Sequence, residues 1–186
     1  MTTLIAPTAS EDLEGLAALE DASDHLFVDV YVPEVERASW HKAPSGATRA
    51  AEPGFILVAR GRRGGPVIGF VHVLETEGLA HLEQLSVLPE HSRQGHGRAL
   101  VMAALQEASD RGHHEITLRT YADVPFHAPF YATCGFEVSA PRTDFHRRLI
   151  DSERQSRLER YGRRVQMSAP LPVTPRRVFP RPDERP

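Results

Sequence analysis

Cysteine is almost absent from this chain: Cys134 is the only one in 186 residues. A single cysteine cannot close an intrachain disulfide, which excludes a disulfide-stapled fold and is compatible with a reducing cytosol. Runs of about 18 apolar residues, long enough to span a bilayer, are missing as well. Residues 1–4 also lack the basic segment and apolar stretch of a secretory signal. These absences predict a cytoplasmic protein with no membrane partner.

A large excess of charge of one sign is missing too. The net charge is −3 at pH 7 and the pI is about 6.4. These values argue against a dedicated nucleic-acid binder, because such proteins are usually strongly basic. With 40% hydrophobic and 25% charged residues, the composition is that of an ordinary globular protein, long enough for one domain with a substantial core.

Hydrophobic periodicity predicts strands and helices in a definite order. Alternating patterns predict strands over 3–7, 55–60, 67–74, 79–88, 115–120 and 164–169. Helical spacing predicts helices over 13–19, from Pro33, from Arg98 to Gly112, over 126–133 and over 145–161. Thr8 and Glu11 have the spacing of a capping box, and residues 42–54 are expected to form a loop.

This order predicts an α+β domain over residues 1–171, with a central, mostly antiparallel, twisted sheet flanked by helices. Residues 172–186 are rich in proline and arginine and contain few apolar residues. That composition predicts a disordered tail. Docking of the tail on an acidic partner is the alternative.

Two glycines, Gly95 and Gly97, stand between the strand at 79–88 and the helix that follows. Unpaired N–H groups at a helix N-terminus attract anions, and glycine lets a phosphate approach the backbone closely. The segment therefore predicts a phosphate-binding loop. A dinucleotide-binding fold is excluded because a three-stranded meander precedes the loop, and a P-loop is excluded because no Gly-Lys-Ser/Thr follows the glycines.

Two blocks of sequence, at residues 82–100 and 125–136, together resemble the GCN5-related N-acetyltransferase (GNAT) superfamily. Residues 82–100, LEQLSVLPEHSRQGHGRAL, look like its acetyl-CoA-binding motif, a strand ending in Val-x-Pro followed by Gln/Arg-x-x-Gly-x-Gly/Ala at the start of a helix. Residues 125–136, PFHAPFYATCGF, look like its later Phe-Tyr-x-x-x-Gly-Phe motif. The resemblance extends over residues 3–171 and implies a sheet whose central strands splay apart.

The register of the first motif has two readings. If Gly95 and Gly97 are the motif glycines, Ser92 stands in the usual Gln/Arg position and His96 replaces an aliphatic residue. A register shifted so that Gln94, Gly97 and the following alanine match also satisfies the pattern. The first reading is preferred because the helix then begins as it does in the family.

The resemblance implies acetyl-CoA as co-substrate and suggests which residues hold it. The pyrophosphate would be bound by the backbone amides of one segment, Arg93, Gln94, Gly95, His96, Gly97 and Arg98. The two arginine side chains would add charge, with simple solvent exposure as the alternative. The pantetheine arm would be bound by the backbone of Leu85, Ser86 and Val87, with the Val87 N–H as oxyanion donor. His127 would contact the same arm, or be a plain surface histidine.

Catalysis is predicted to depend on Glu83 and Tyr131. The family places a general acid at the position of Tyr131, and a phenol can donate a proton to a thiolate. Glu83 is predicted to be the base, directly or through water, because period-two spacing would place it on one strand face with Leu85 and Val87. His81 would share that face. The alternatives are a packing role for Tyr131 and a salt-bridged surface role for Glu83.

The acceptor pocket is expected to draw on an aromatic and acidic set: Asp24, His25, Phe27, Asp29, Tyr31 and Trp40. Such a set suits a cationic amine, and equally suits helix packing. No carboxylate–histidine spacing recurs, so no metal site is predicted.

The sequence thus predicts acetyl transfer to a primary amine, on a small molecule or a peptide, by direct attack in a ternary complex. The alternatives are an acyl-CoA-binding regulatory module without turnover and a transferase of a larger acyl group. A homodimer is compatible with the resemblance.

Overall fold

The computed structural model describes residues 3–171. Seven strands in this range form one sheet in the order β1-β2-β3-β4-β5-β7-β6. The strands are β1 Leu4–Pro7, β2 Gly54–Arg60, β3 Val67–Thr76, β4 Leu79–Val87, β5 Glu115–Tyr121, β6 Glu137–Ser139 and β7 Arg164–Pro170. Strands β4 and β5 are parallel, and the other neighbouring pairs are antiparallel. The predicted α+β class with a mostly antiparallel sheet is confirmed.

The described residues contain six α-helices that flank this sheet. They are α1 Leu13–Tyr31, α2 Glu34–Arg37, α3 Gly46–Ala50, α4 His96–Asp110, α5 Ala128–Thr133 and α6 Asp144–Gln155. None of the helices described is both long and apolar enough to cross a membrane. The predicted disordered tail, residues 172–186, lies outside the described residues.

Two predictions that concern helix starts are wrong. Residues 42–54 contain α3, which begins where the Ser45 hydroxyl accepts the Thr48 N–H at 3.1 Å. In place of the predicted Thr8–Glu11 capping box, the Asp12 carboxylate accepts the Ala9 N–H at 2.9 Å. The turn before α1 therefore starts at Ser10, because an aspartate can cap a chain N–H as well as a glutamate can.

One face of the sheet packs against α4 and is apolar. The helix contributes a buried stripe, Leu100, Val101, Ala104 and Ala108, to a core that includes Val71, Val73, Leu82, Ile116 and Leu118 from the central strands. The three-to-four-residue spacing of this stripe is the reason that the segment forms an amphipathic helix here.

The opposite face, under α1, is apolar at one end and polar at the other. Leu16 and Leu19 pack on Ile56, Val58 and Phe70. Beyond them the same face buries a second set of side chains that are polar or charged: Glu20, Arg49, His72, His81, Thr117 and Gln166. Burying such groups is costly unless they are paired, so this end of the face indicates a functional site.

Strands β4 and β5 pair over only three positions, Ala80, His81 and Leu82 opposite Ile116, Thr117 and Leu118. From Glu83 onward no described residue pairs with β4 on that side, so the two strands splay apart. The splayed central strands implied by the family resemblance are thus present, and they leave an opening in the sheet.

Candidate active site

A β-bulge in β4 determines the direction of Glu83. Leu82 lies opposite Val73 and Gln84 lies opposite His72, so Glu83 is the additional residue. Because residues opposite each other point to the same face, Leu82, Leu85 and Val87 point toward α4, whereas His81 and Gln84 point toward α1. The prediction that Glu83 shares a face with Leu85 and Val87 is wrong, since the bulge reverses the alternation.

Glu83 instead lies with His81 in a cavity on the α1 side. Its Oε2 is 3.9 Å from His81 Nε2, and 40% of its side chain is accessible from the cavity. Burial raises the pKa of Glu83, and the negative charges of Glu52 and Glu153 raise it further, although Arg49 and Arg164 act in the opposite direction. A carboxyl with a raised pKa inside a cavity is suited to accept a proton near neutral pH.

The ring of His81 is held in place by a chain of buried polar groups. His146 Nδ1 accepts the Arg142 N–H at 3.3 Å, which leaves its Nε2 to donate to Thr117 Oγ1 at 3.3 Å. Thr117 Oγ1 lies 2.8 Å from His81 Nδ1 and within 3.4 Å of the Ala80 carbonyl oxygen, and His81 Nε2 faces Glu83. Burial lowers the pKa of His81 to about 3, and the ring is neutral.

Tyr131 and His127, both from the second motif, line a cavity together with Glu83. The Tyr131 hydroxyl has no hydrogen-bond partner within residues 3–171, and it is not sealed from solvent. Burial raises the pKa of Tyr131, so the phenol stays protonated. His127 stacks on Phe27 with ring centroids 5.5 Å apart, and burial lowers its pKa to about 4.

The backbone of β4 also faces this opening. Leu88 N–H donates to Ile68 C=O at 2.9 Å, and hydrogen-bonded pairs alternate in an antiparallel ladder. Ser86 is therefore paired with Phe70, whereas Leu85 and Val87 direct their N–H and C=O groups away from β3, toward the side where β5 has diverged. The side chain of Ser86 is buried and accepts a hydrogen bond from Gln84 at 2.9 Å.

The glycine loop lies at the mouth of the same opening. Gly95 has φ +88° with no atom within 4 Å of where a Cβ would stand, and the first turn of α4 has no side-chain cap and no acidic residue. A Cβ on Gly97 would approach Phe130, Val87 and Leu85 at 3.7–4.0 Å, which places the helix start beside the end of β4. The uncapped amides and the positive helix end suit a pyrophosphate.

The predicted side chains of this loop have different surroundings. Arg93, at φ +60°, is exposed and has no partner among the described residues, whereas Arg98 donates to the Thr133 carbonyl at 2.6 Å. Gln94 donates to the Glu90 carbonyl at 3.1 Å. His96 is buried, with Nδ1 2.8 Å from Thr3 Oγ1, so its side chain does not face solvent.

Two adjoining cavities, of about 320 and 470 Å³, share Glu83, Trp40, Arg119 and Arg164. Asp24, Phe27 and Trp40 of the predicted acceptor set line them, and Trp40 Nε1 donates to Asp24 at 3.2 Å. Tyr31 lies behind, stacked on Phe27 at 5.0 Å. His25 and Asp29 face solvent. The predicted set is therefore divided between the cavity and the surface.

Sequence reasoning missed a charged cluster in the cavity wall. Glu153 of α6 bridges Arg119 of β5 and Arg164 of β7. Glu20 pairs with Arg49, which also lies 3.2 Å from His72 Nδ1. Burial raises the pKa of Glu20 to about 7. The available signal was the presence of arginines within the alternating patterns of predicted strands. The sequence does not show which residues pair with them, because those partners come from distant elements.

No group of three or more histidine, cysteine, aspartate or glutamate side chains that could hold a metal ion occurs among residues 3–171. Cys134 is free and buried beside α5, and burial raises the pKa of its thiol.

Residues 17–136, more than half of the chain, match the family model described as Acetyltransferase (GNAT) family. The chain belongs to the GNAT acetyltransferase family. This GNAT domain therefore carries out acyl-CoA-dependent acetyl transfer in the general sense of its family, and the cavity at the β4–β5 opening is its candidate active site.

Solved structures confirm the GNAT fold. The ribosomal-protein-S18-alanine N-acetyltransferase of Escherichia coli is 18% identical with a TM-score of 0.64, covering 96% of this chain and 99% of that chain. PaiA N-acetyltransferase of Thermoplasma acidophilum, solved in complex with coenzyme A, is 19% identical with a TM-score of 0.65, covering 92% and 100%. Nourseothricin acetyltransferase is 25% identical with a TM-score of 0.52, covering 71% of each chain.

Proposed function

We propose that this GNAT protein transfers the acetyl group of acetyl-CoA to a primary amine by direct attack in a ternary complex. The observation that carries the proposal is that Glu83 and Tyr131 line one cavity at the β4–β5 opening, next to the uncapped start of α4. A base, an acid and an anion-binding loop are thereby grouped around one space.

The donor would be held by backbone groups. The amides of residues 93–98 suit the pyrophosphate, and the outward-facing N–H and C=O groups of Leu85 and Val87 suit the amide-containing pantetheine arm. When bound, acetyl-CoA supplies an activated acyl group as a thioester. His127 lines the same opening and would contact the arm.

The proton transfers follow from the two side chains. Glu83 accepts a proton from the ammonium group of the acceptor, directly or through one water, which frees the amine for attack. The Val87 N–H stabilises the oxyanion, for which one donor contributes about 3 kcal/mol. Tyr131 donates its phenolic proton to the sulfur as the C–S bond breaks, and the second proton lost by the attacking nitrogen restores the neutral phenol.

The test is release of free thiol from acetyl-CoA with a panel of primary amines. We expect release with at least one amine, and a loss of about 100-fold or more in kcat for Tyr131→Phe. Tyr31→Phe, which packs outside the cavity, should retain full turnover.

Three results would overturn parts of the proposal. Tight CoA binding without thiol release for any amine would favour the regulatory module. Faster release from a longer acyl thioester would favour a larger acyl group. Unchanged turnover in Tyr131→Phe would exclude Tyr131 as the acid.

A further inference from the structure

The cavity wall contains two arginines that share a single carboxylate. Arg119 and Arg164 lie on the same face of neighbouring strands, since Tyr121 is opposite Arg164 and Arg119 is opposite Gln166. Each donates through Nε and Nη2 to Glu153, Arg119 to Oε2 at 2.9 and 2.6 Å and Arg164 to Oε1. This leaves the Nη1 group of each guanidinium unused.

The unused groups remain open to the cavity. The side chains of Arg119 and Arg164 are only 9% and 16% exposed. Both residues line the cavity, and neither Nη1 atom has a hydrogen-bond partner within residues 3–171. Both Nη1 atoms are also accessible to solvent. Two nearly buried guanidinium groups thus present free N–H donors to the same space.

The charges of this cluster do not balance. Hydrogen bonds from both arginines overcome the effect of burial and lower the pKa of Glu153, so the cluster holds two cations and one anion. Glu83 makes no ion pair with either arginine, its nearest charged or ionisable partner being His81 at 3.9 Å. Glu36, across the cavity, pairs with Arg160 at 2.7 Å. The second positive charge is thus offset only by Glu83, through space, and no carboxylate contacts the free Nη1 groups.

From these two free donor groups we infer that the acceptor is an amine that also carries a carboxylate, such as an amino acid. Its carboxylate binds the two Nη1 groups of Arg119 and Arg164, because guanidinium groups match a planar carboxylate. Its amine then extends toward Glu83, which lines the same cavity. A volume of about 470 Å³ suits a small molecule of this kind.

This inference rests on the proposed function, and the experiment separates the two. Common amino acids are each compared, in the thiol-release assay, with the amine that remains after the carboxylate is removed and with an amine that bears a phosphate. We expect kcat/KM to be about tenfold or more higher for at least one amino acid than for its decarboxylated partner.

The arginine variants locate the effect. Arg164→Gln should raise KM for the amino acid about tenfold or more, whereas KM for the decarboxylated amine should change by less than about twofold, and any change in kcat caused through Glu83 should be common to both substrates. If Arg164→Gln folds poorly, Arg164→Lys takes its place. This variant keeps the positive charge beside Glu153 and should raise KM for the amino acid by a smaller, intermediate factor. Arg163→Gln, which removes an exposed neighbour paired with Asp123, should change nothing.

Several outcomes would overturn the inference while the proposed function stands. They are equal or better use of decarboxylated amines, preference for the phosphate-bearing amine, and an equal loss of both substrate types in Arg164→Gln.

If no amine of any kind is acetylated, the proposed function fails instead, and binding decides the inference. Calorimetric titration of the CoA-saturated protein with amino acids should then show binding that Arg164→Gln weakens about tenfold or more. No binding of any amino acid would overturn it.

Discussion

The two faces of the central sheet are built for different purposes. On the α4 face the strands present Val71, Val73 and Leu82 to a helix stripe that contains no charged group. On the α1 face the same strands present His72, His81 and Arg119, whose partners are charged or polar side chains from other elements. One face stabilises the fold. The other positions reactive groups, and burying these groups lowers the stability of the fold.

This difference shows how one sheet provides both a stable apolar core and a reactive site. The apolar face fixes α4, and with it the glycine loop, while the polar face surrounds the splayed cavity. Substitutions on the two faces should therefore separate stability from activity, and four predictions test that separation.

The largest effect is expected for Glu83→Gln. Removing the base should lower kcat/KM about 100- to 10,000-fold. Because the folded-state pKa of Glu83 is raised, its ionised form opposes folding as pH rises above its ordinary range. The variant should therefore be at least as stable as the wild-type protein at pH 8, as measured by urea unfolding. A variant with normal kinetics would show that Glu83 is not the base.

Leu100→Ala should lower stability and leave activity nearly unchanged, which is the reverse of the effect expected for Glu83→Gln. Leu100 is fully buried in the α4 core, so its truncation should cost about 2–5 kcal/mol of unfolding free energy. The kcat of the folded enzyme should change little. Met102→Ala, on the exposed side of the same helix, should cost less than about 0.5 kcal/mol. Loss of kcat without loss of stability would contradict the division of the two faces.

The polar face should make stability depend on pH. The pKa of His81 is lowered to about 3 by burial, so below its ordinary value of about 6.5 the unfolded chain binds a proton that the folded chain does not. This contribution is intact above pH 6.5 and decreases as pH falls, by an amount on the order of 2 kcal/mol at pH 5. His81→Asn should reduce the slope of stability against pH between 7 and 5. A slope equal to that of the wild-type protein would show that His81 does not contribute to this pH dependence.

The smallest effect is expected at the glycine loop. Gly95→Ala places a Cβ at φ +88° without a clash, so it should cost about 1–2 kcal/mol in backbone strain. CoA affinity should also fall about tenfold, or about 1.4 kcal/mol. Gly78→Ala, in the β3–β4 turn at φ +76° and equally open, should cost similar stability with no change in CoA affinity. Equal affinity in both variants would show that the loop does not bind CoA.

Much of the fold was accessible from local pattern. Strands β2, β3 and β4 and helix α4 follow alternation and helical spacing between glycine-containing turns, and the structure confirms them. Helix α3 was missed because five residues with a glycine and a threonine show no periodicity. Strand β6 was missed because three residues are too short for alternation to be recognised, and the C-terminal half of α1 because aromatic and acidic residues interrupt its stripe.

The candidate site was less accessible. Glu83 and Tyr131 come from recognisable motifs, but their common cavity depends on the β4 bulge and on the divergence of β5. The cluster of Arg119, Glu153 and Arg164 depends on β7 lying between β5 and β6, a topological fact that no local pattern contains.

The bulge at Glu83 has a consequence for how this strand tolerates changes in length. Because of this one additional residue, the even-numbered residues of β4 face α4 before the bulge and the odd-numbered residues face α4 after it. The positions that tolerate a polar substitution therefore differ between the two halves of the strand. Deleting Glu83 would restore regular alternation, with Leu82 and Leu85 still directed toward α4 and Gln84 still directed toward α1. Such a deletion would therefore remove the carboxylate from the cavity and leave the apolar face of β4 unchanged, whereas a deletion elsewhere in the strand would change which residues face the core.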